Sequence, residues 1–292
     1  MSRSPSDPAL LMICYKFPPM HSVSTRRMLA LYHAFGNHFK TIKVISTTNR
    51  HLLSSGGGGH EGIDIYDAPT HDYRTVIQGR TGKPASASES LKQSWIGRMG
   101  LRLQASFPTM YWLGEGGRQY RRAALRQAGS LVEEHGITHV FSSFPPYADH
   151  WVAARLKRAF PRLTWIADFR DLHVDPAQDN LLFRNYQLRI NRKILKSATV
   201  LTTVSEGLAD HLRALHPRVH VLRNGILRGI DHATLYERFT ISYTGSMFQN
   251  KRRPDPLVQV LARCLADRSL VADHLTLRYA GKDSDVWHET VR

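Results

Sequence analysis

Two cysteines in 292 residues, Cys14 and Cys264, are too few and too far apart to suggest a disulfide framework or a thiolate metal site. One lies in an apolar run and the other in a helical pattern, so both read as buried small hydrophobes in a reducing compartment. The chain lacks any run of about 18 apolar residues, so no segment reads as a membrane-spanning helix. Its start, Met1 to Pro8, is polar and has neither the basic opening nor the apolar stretch of a secretory signal. Acidic residues are scarce: 24 Asp and Glu stand against 40 Lys and Arg, a formal net charge of +16. That balance suits a phosphate-rich partner such as nucleic acid, anionic lipid or a phosphorylated small molecule. Zinc-finger spacing, a basic-region heptad and an aromatic RNA-binding motif are all missing, which disfavours nucleic acid. Gly56 to Gly59 do not match a phosphate loop and do not join a strand to a helix, so they read as a flexible loop. No repeat at a solenoid period is visible.

What the chain does contain is a core. Hydrophobic residues make up 42%, and the length suits two domains. Ala9 to Tyr15 is a short apolar run of the kind buried on both faces of a parallel sheet. A helical stretch with Met28, Leu29, Tyr32 and Phe35 follows, then a second strand over Thr41 to Ser46 and a short third at Ile63 and Ile65. This β-loop-α-β opening predicts a doubly wound sheet. The pattern weakens from Ala68 to Gly117 and resumes with a helix over Arg118 to His135. Strands are expected at Thr138 to Phe141, Leu163 to Ala167, Ala198 to Val204 and Val219 to Leu222, with helices between them. Asn224-Gly225 is a turn signal. Past a linker, a second β-α-β unit occupies Phe239 to Ala280, with a last helical piece running to Arg292. The expected division is residues 1–228 and 229–292. Two parallel strands and two helices are too few to cover a stable sheet, so the second domain reads as a first part only.

Four places in order carry a family resemblance: Tyr15-Lys16-Phe17-Pro18-Pro19 with Arg26-Arg27; Ser142-Ser143-Phe144-Pro145-Pro146 with Ala167-Asp168-Phe169-Arg170-Asp171; Thr202-Thr203-Val204-Ser205 with Asn224-Gly225; and Tyr243-Thr244-Gly245-Ser246 with Lys251. Together they resemble the retaining, family-4-like glycosyltransferases of the GT-B fold, of the bacterial surface-glycan type. The resemblance implies two Rossmann-like domains, the N-terminal one for the acceptor and the C-terminal one for a UDP- or GDP-linked sugar. It implies no metal and no cofactor beyond that donor substrate. The partners it implies are a nucleotide sugar, a glycan or lipid-linked acceptor and an anionic membrane surface, without nucleic acid. The implied place is the cytoplasm, at the inner face of the membrane. The family's first loop carries paired glycines, whereas Met20-His21-Ser22-Val23-Ser24 carries none here. Its paired-glutamate motif belongs further along than Arg292, so the fragment is expected to have little activity alone. A non-catalytic module binding a phosphorylated ligand, and a sugar-nucleotide epimerase of the same architecture, are the alternatives.

On this reading Asp168 is the catalytic carboxylate, at the C-terminal end of a parallel strand where ligands bind such sheets. The alternative is a salt-bridge cluster tying down the loop. His21, Ser22, Arg26, Ser143, Arg170 and Asp171 are assigned to the acceptor side. Ser142 and Ser143 would either bind acceptor or cap the helix near Tyr147. Gly245, Ser246, Lys251 and Arg252 are assigned to the donor phosphates. His150 reads as structural, and a metal reading of His173 with Asp175 is disfavoured. The basic segment around Lys92 to Arg102, with Trp95, Ile96 and Met99 interleaved, reads either as a membrane-surface helix or as a core-packing helix with a solvated face.

Overall fold

The computed structural model describes residues 8–18, 22–47, 62–70, 95–113, 115–176, 181–225, 235–245, 247, 253–281 and 284–291. The chain forms two compact units, Met1–Leu227 and Arg228–Arg292.

The first unit is built on β1 (Ala9–Ile13). All five of its residues are buried, and they divide by parity. Ala9, Leu11 and Ile13 enter one hydrophobic core, while Leu10 and Met12 enter the other. A strand with period two can serve two faces only if both are covered, which explains a run with no polar residue. Each fully buried aliphatic side chain here contributes about 1.5–3 kcal/mol. On the Leu10 face lies α1 (Val23–Gly36), which places Met28 and Leu31 in that core. Ser22 starts this helix by accepting a hydrogen bond from the Thr25 N–H at 3.1 Å. On the Leu11 face lie two helices joined to the sheet by Tyr120, Ala124, Ala128, Val152 and Leu156. With a short and a long helix before them, these are α2 (Trp95–Ala105), α3 (Met110–Leu113), α4 (Arg118–His135) and α5 (Tyr147–Ala159).

The remaining strands are β2 (Thr41–Thr47), β3 (Ile65–Ala68), β4 (His139–Phe144), β5 (Thr164–Phe169), β6 (Val200–Thr203) and β7 (Val219–Val221). Helices α6 (Arg184–Leu195) and α7 (Glu206–Arg213) separate the last three. All seven strands are parallel, in the order β3-β2-β1-β4-β5-β6-β7. Chain order reverses between β1 and β4, and the crevice beyond the strand C-termini at such a point is where doubly wound sheets bind ligands.

The stretch from Ala68 to Gly117, weak in pattern, holds α2 and α3. Around residues 106–107 its described part is held by side-chain hydrogen bonds as well as by the buried Phe107 ring. Gln187 on α6 accepts from the Phe107 N–H at 2.8 Å and donates to the Phe107 carbonyl at 3.1 Å. Ser106 Oγ accepts from the Leu182 N–H at 2.8 Å. Gln187 is fully buried and also donates to the Leu182 carbonyl at 3.0 Å, so its loss strands three backbone groups. Gln187→Leu is expected to cost about 1–3 kcal/mol and to raise amide exchange across residues 102–112 before the sheet is affected. Unchanged protection there would show that the segment is held by other means.

The second unit contains β8 (Phe239–Thr244), α8 (Asp255–Ala266), β9 (Leu275–Ala280) and α9 (Ser284–Val291). Its strands pair in parallel as a two-stranded sheet. The fold is therefore α/β: a seven-stranded Rossmann-like parallel sheet in the first unit and a two-stranded parallel sheet in the second. Cys14 is buried as expected, whereas Cys264 is only half-buried.

Candidate active site

Three strand ends, those of β4, β5 and β6, and one helix converge at Asp168, the fifth residue of β5. Its carboxylate is fully buried. Oδ1 accepts from Arg27 Nη2 at 2.8 Å and from Thr202 Oγ1 at 2.8 Å. Oδ2 accepts from Ser143 Oγ at 3.0 Å and from Arg27 Nε at 3.3 Å. Arg27 is itself buried and passes its remaining nitrogen, Nη1, to Asn224 Oδ1 at 2.9 Å. The guanidinium fork thus binds a carboxylate edge-on and reaches past the end of β7. Register explains the meeting: Ser143, Asp168 and Thr202 are direct partners across β4, β5 and β6, so their side chains share one face.

This geometry bears on the catalytic reading of Asp168. A carboxylate has about four acceptor sites, and all four here are taken by protein donors. The arrangement is that of the salt-bridge alternative. Ser143 belongs to the same cluster and neither caps α5 nor faces solvent. Ser142 accepts from Trp165 Nε1 at 2.9 Å and lies 2.8 Å from His150 Nδ1. The residue at the α5 N-cap is Pro146, which gives no side-chain cap. Ser22 is occupied in capping α1. Arg26 is exposed on α1, and its neighbour Arg27 turns inward instead. Arg170 donates through Nε to the Phe144 carbonyl at 3.2 Å and through Nη2 to the Pro145 carbonyl, so it clasps the loop after β4. Burial lowers its pKa, with Asp168 the largest opposing influence. Asp171 stands exposed one residue further along. His21, Ser246, Lys251 and Arg252 lie outside the described residues, as does the Gly56–Gly59 loop.

A second buried carboxylate sits beside the first. Asp149, in the first turn of α5, accepts from the Tyr15 N–H at 2.9 Å and from the Tyr120 hydroxyl at 2.7 Å. It thereby fixes the chain where it leaves β1. Burial pushes its pKa up to about 7, against the lowering pull of those two hydrogen bonds and of the Arg170 and Lys16 charges. Lys16, next along the loop, forms an ion pair with Glu115 at 3.0 Å. His150 follows Asp149 and is fully buried. Burial, with the Arg170 and His173 charges behind it, holds its pKa down to about 3. A neutral, enclosed imidazole with Nε2 unpartnered among the described residues is a packing element. His173 lies with Nδ1 3.1 Å from Asn191 Oδ1 and Nε2 3.3 Å from the Ala105 carbonyl. Both its nitrogens are thus engaged by protein. No group of three or more His, Cys, Asp or Glu side chains among the described residues is arranged to hold a metal ion.

In the second unit, Gly245 follows β8 at φ +134°, a conformation that favours glycine. Its N–H donates to the Ala280 carbonyl at 3.0 Å, and its carbonyl accepts from the Tyr279 hydroxyl at 2.9 Å. A Cβ on Gly281 would fall 2.0 Å from the Gly245 carbonyl oxygen, so the two strand ends can approach only through glycine. Beside them is a cavity of about 420 Å³ lined by Tyr243, Met247, Arg253, Pro254, Leu257 and Trp287. The rings of Tyr243, Tyr279 and Trp287 stack in sequence, at 6.0 and 5.4 Å between centroids.

Several solved structures are similar to this chain at low sequence identity. The lipopolysaccharide outer core galactosyltransferase WaaB in its apo form is 8% identical, with 96% of this chain and 70% of that one covered at a TM-score of 0.50. The glycosyltransferase SsfS6 of Streptomyces sp. SF2575, complexed with thymidine diphosphate, is 15% identical over 94% of this chain and 68% of that one, at 0.40. The S. aureus MnaA–UDP co-structure is 10% identical over 97% and 66%, at 0.45. No curated protein sequence gives a significant match. The profile of the glycosyl transferase 4-like domain matches residues 70–225, more than half of the 292, and spans the strand ends that meet at Asp168. The chain therefore belongs to the glycosyl transferase 4-like family, on a GT-B glycosyltransferase fold.

Proposed function

We propose that this chain carries the acceptor-side domain, and the opening of the donor-side domain, of a retaining transferase. It moves a hexose from a UDP- or GDP-sugar to a hydroxyl of a surface-glycan or lipid-linked acceptor. The observation that carries this reading is the family match over the strand ends at the switch point of the sheet. The buried Arg27–Asp168 pair supports a positioning role: it locks the loops after β4 and β5, whose exposed member Asp171 is the carboxylate open to an acceptor hydroxyl. Retention places the incoming hydroxyl on the face the phosphate leaves, so that the phosphate itself takes the proton.

On the donor side, the close approach at Gly245 supports backbone contact with a diphosphate, with Ser246, Lys251 and Arg252 following in sequence. The two-stranded sheet of this unit is too small to cover both its faces, which supports its being the first part of a larger domain. Little turnover is expected from these 292 residues alone. Binding is the measurement that tests the reading. Calorimetric titration of the chain with UDP, GDP and their hexose conjugates should give saturable binding to one nucleotide class. Gly245→Val and the Lys251→Ala, Arg252→Ala pair should each weaken it about tenfold, the loss of one or two charge-assisted contacts. An absence of saturable heat with every one of these compounds would sink the proposal.

A further inference from the structure

Helix α4 begins with charges of the wrong sign. The amino end of a helix is the positive pole of its dipole, where acids and side-chain caps are stabilising. Gly117 at the N-cap supplies no side-chain bond, and the first turn holds no acid. Arg118, Arg121 and Arg122 stand there instead, with Arg118 and Arg122 exposed. The nearest acid in sequence, Glu115, is paired with Lys16 at 3.0 Å.

Arg121 makes this more than a basic helix end, because it is only 8% exposed. Its guanidinium lies 4.5 Å from the ring centres of both Tyr111 and Trp151, which hold it between α3 and α5. Nη2 donates to the Tyr111 carbonyl, whereas Nε is buried without a hydrogen-bond partner among the described residues. The charged side chains acting on it are all arginines. Burial lowers its pKa to about 10; the Tyr111 hydroxyl opposes that, while Arg118, Arg155 and Arg122 act in the same sense as burial. The group is still a cation at neutral pH. Buried cations are ordinarily paired with an acid, and this one is set to accept an anion. Arg155 lies 5.0 Å over the Trp151 ring and Arg118 5.0 Å over the Trp112 ring, so the neighbouring indoles hold two more guanidinium groups in place.

We propose that Arg121, with Arg118, Arg122 and Arg155 around it at the amino end of α4, forms a binding site for a phosphoryl dianion, either inorganic phosphate or the phosphate of a soluble monoester. A dianion suits a cluster of guanidinium groups better than a single carboxylate does, and the planar fork matches phosphate oxygens. The rings of Tyr111 and Trp151 fix the Arg121 fork beforehand, so little freedom is lost on binding. The site lies within the first unit, apart from the donor-side loop at Gly245, and the inference does not rest on the transferase reading.

The test is calorimetric titration of the full chain with inorganic phosphate and with phenyl phosphate, in a phosphate-free buffer of low salt. The Lys251→Ala, Arg252→Ala variant serves as the background, so that the donor-side cations cannot supply the heat. The expected result is saturable binding of at least one probe. Tighter binding of phenyl phosphate assigns the site to an ester whose organic part lies on the exposed Trp112 ring; equal or weaker binding assigns it to free phosphate. Arg121→Lys keeps the charge without the fork and should weaken binding at least about tenfold. Arg118→Ala, Arg122→Ala should do the same; both positions are exposed, so this pair decides the matter if circular dichroism shows Arg121→Lys to be unfolded. Lys193→Ala, Lys196→Ala removes as much charge from exposed positions on α6 and should change binding less than about twofold. No saturable binding of either probe overturns the proposal. So does binding that the folded α4 variants leave intact, or that the α6 pair weakens as much as they do, which would mark a general effect of the +16 net charge. None of these failures touches the nucleotide titration, so the two readings fall separately.

Discussion

Replacing Asp168 with alanine is expected to lower the unfolding free energy by about 3–5 kcal/mol, read from the urea midpoint. The reason is what the change leaves behind. Arg27 keeps its charge in a site where its side chain is only 4% exposed, with Asn224 as its remaining partner. Ser143 and Thr202 lose the acceptor that both share. Breaking one side of a buried pair costs more than the pair is worth, because the surviving charge has already given up its water. Arg27→Ala should therefore cost a similar amount. The double variant should cost less than the two single losses together, by about 0.5–3 kcal/mol. A nearly wild-type midpoint for Asp168→Ala would mean that the cluster does not hold the strand ends together. Any loss of transfer in that variant would then have to come from direct contact with substrate.

Asp149 and His150 should produce opposite pH dependences that hide one another. From about pH 4 to 7, folded Asp149 keeps a proton that the unfolded chain has released, so its contribution to stability falls as pH rises. From about pH 3 to 6.5 the unfolded chain gains a proton on His150 that the folded chain refuses, so that contribution rises with pH. Each slope is about 1.4 kcal/mol per pH unit where it operates alone. Between pH 4 and 6.5 the two cancel, and wild-type stability from this pair should be nearly flat. Asp149→Asn can keep the Tyr15 and Tyr120 hydrogen bonds, because the Tyr120 hydroxyl accepts as readily as it donates. It removes the falling term, so stability should climb by about 3 kcal/mol from pH 4 to 6.5. His150→Gln should do the reverse and make stability fall across the same range. Burial also lowers the His173 pKa, so His173 acts in the same sense as His150, steepening the first curve and flattening the second. Urea midpoints collected at half-unit pH steps check this. Curves for the two variants that run parallel to wild type would refute it.

Much of the fold was legible in the residues, and the reason is burial. Ala9 to Ile13 has no polar side chain because both faces of β1 are covered, and that pattern survives in one dimension. The site was less legible because its bonds cross the sheet. Arg27 pairs with Asp168 across 141 positions, and a lone arginine in a helical pattern ordinarily reads as solvent-facing. Only the order of strands, with β1 beside β4 and β4 beside β5, brings α1 over the end of β5. Asp149 was passed over for a related reason: an acid in the first turn of a helix is a common local signal, and its partner at Tyr15 lies 134 residues back. Ser142 and Ser143, read together as either acceptor-binding or helix-capping, point to opposite faces of β4 and serve different clusters. Gly281 gave no signal at all, because its need for a missing side chain arises from Gly245 on the neighbouring strand.

The position of β1 also shapes the birth of the molecule. It is made before the other described strands and lies inside the sheet, paired with β2 on one side and β4 on the other. Its first partner is complete at Thr47, but the second is complete only at Phe144, roughly 100 residues later. At ordinary synthesis speeds of about 5–20 residues per second, that gap lasts on the order of 5–20 s. For most of that time Leu11 and Ile13 have no helix above them, because α4 is complete only at His135 and α5 only after β4. The nascent chain is thus a ready client for a holding chaperone between the second strand and the fourth.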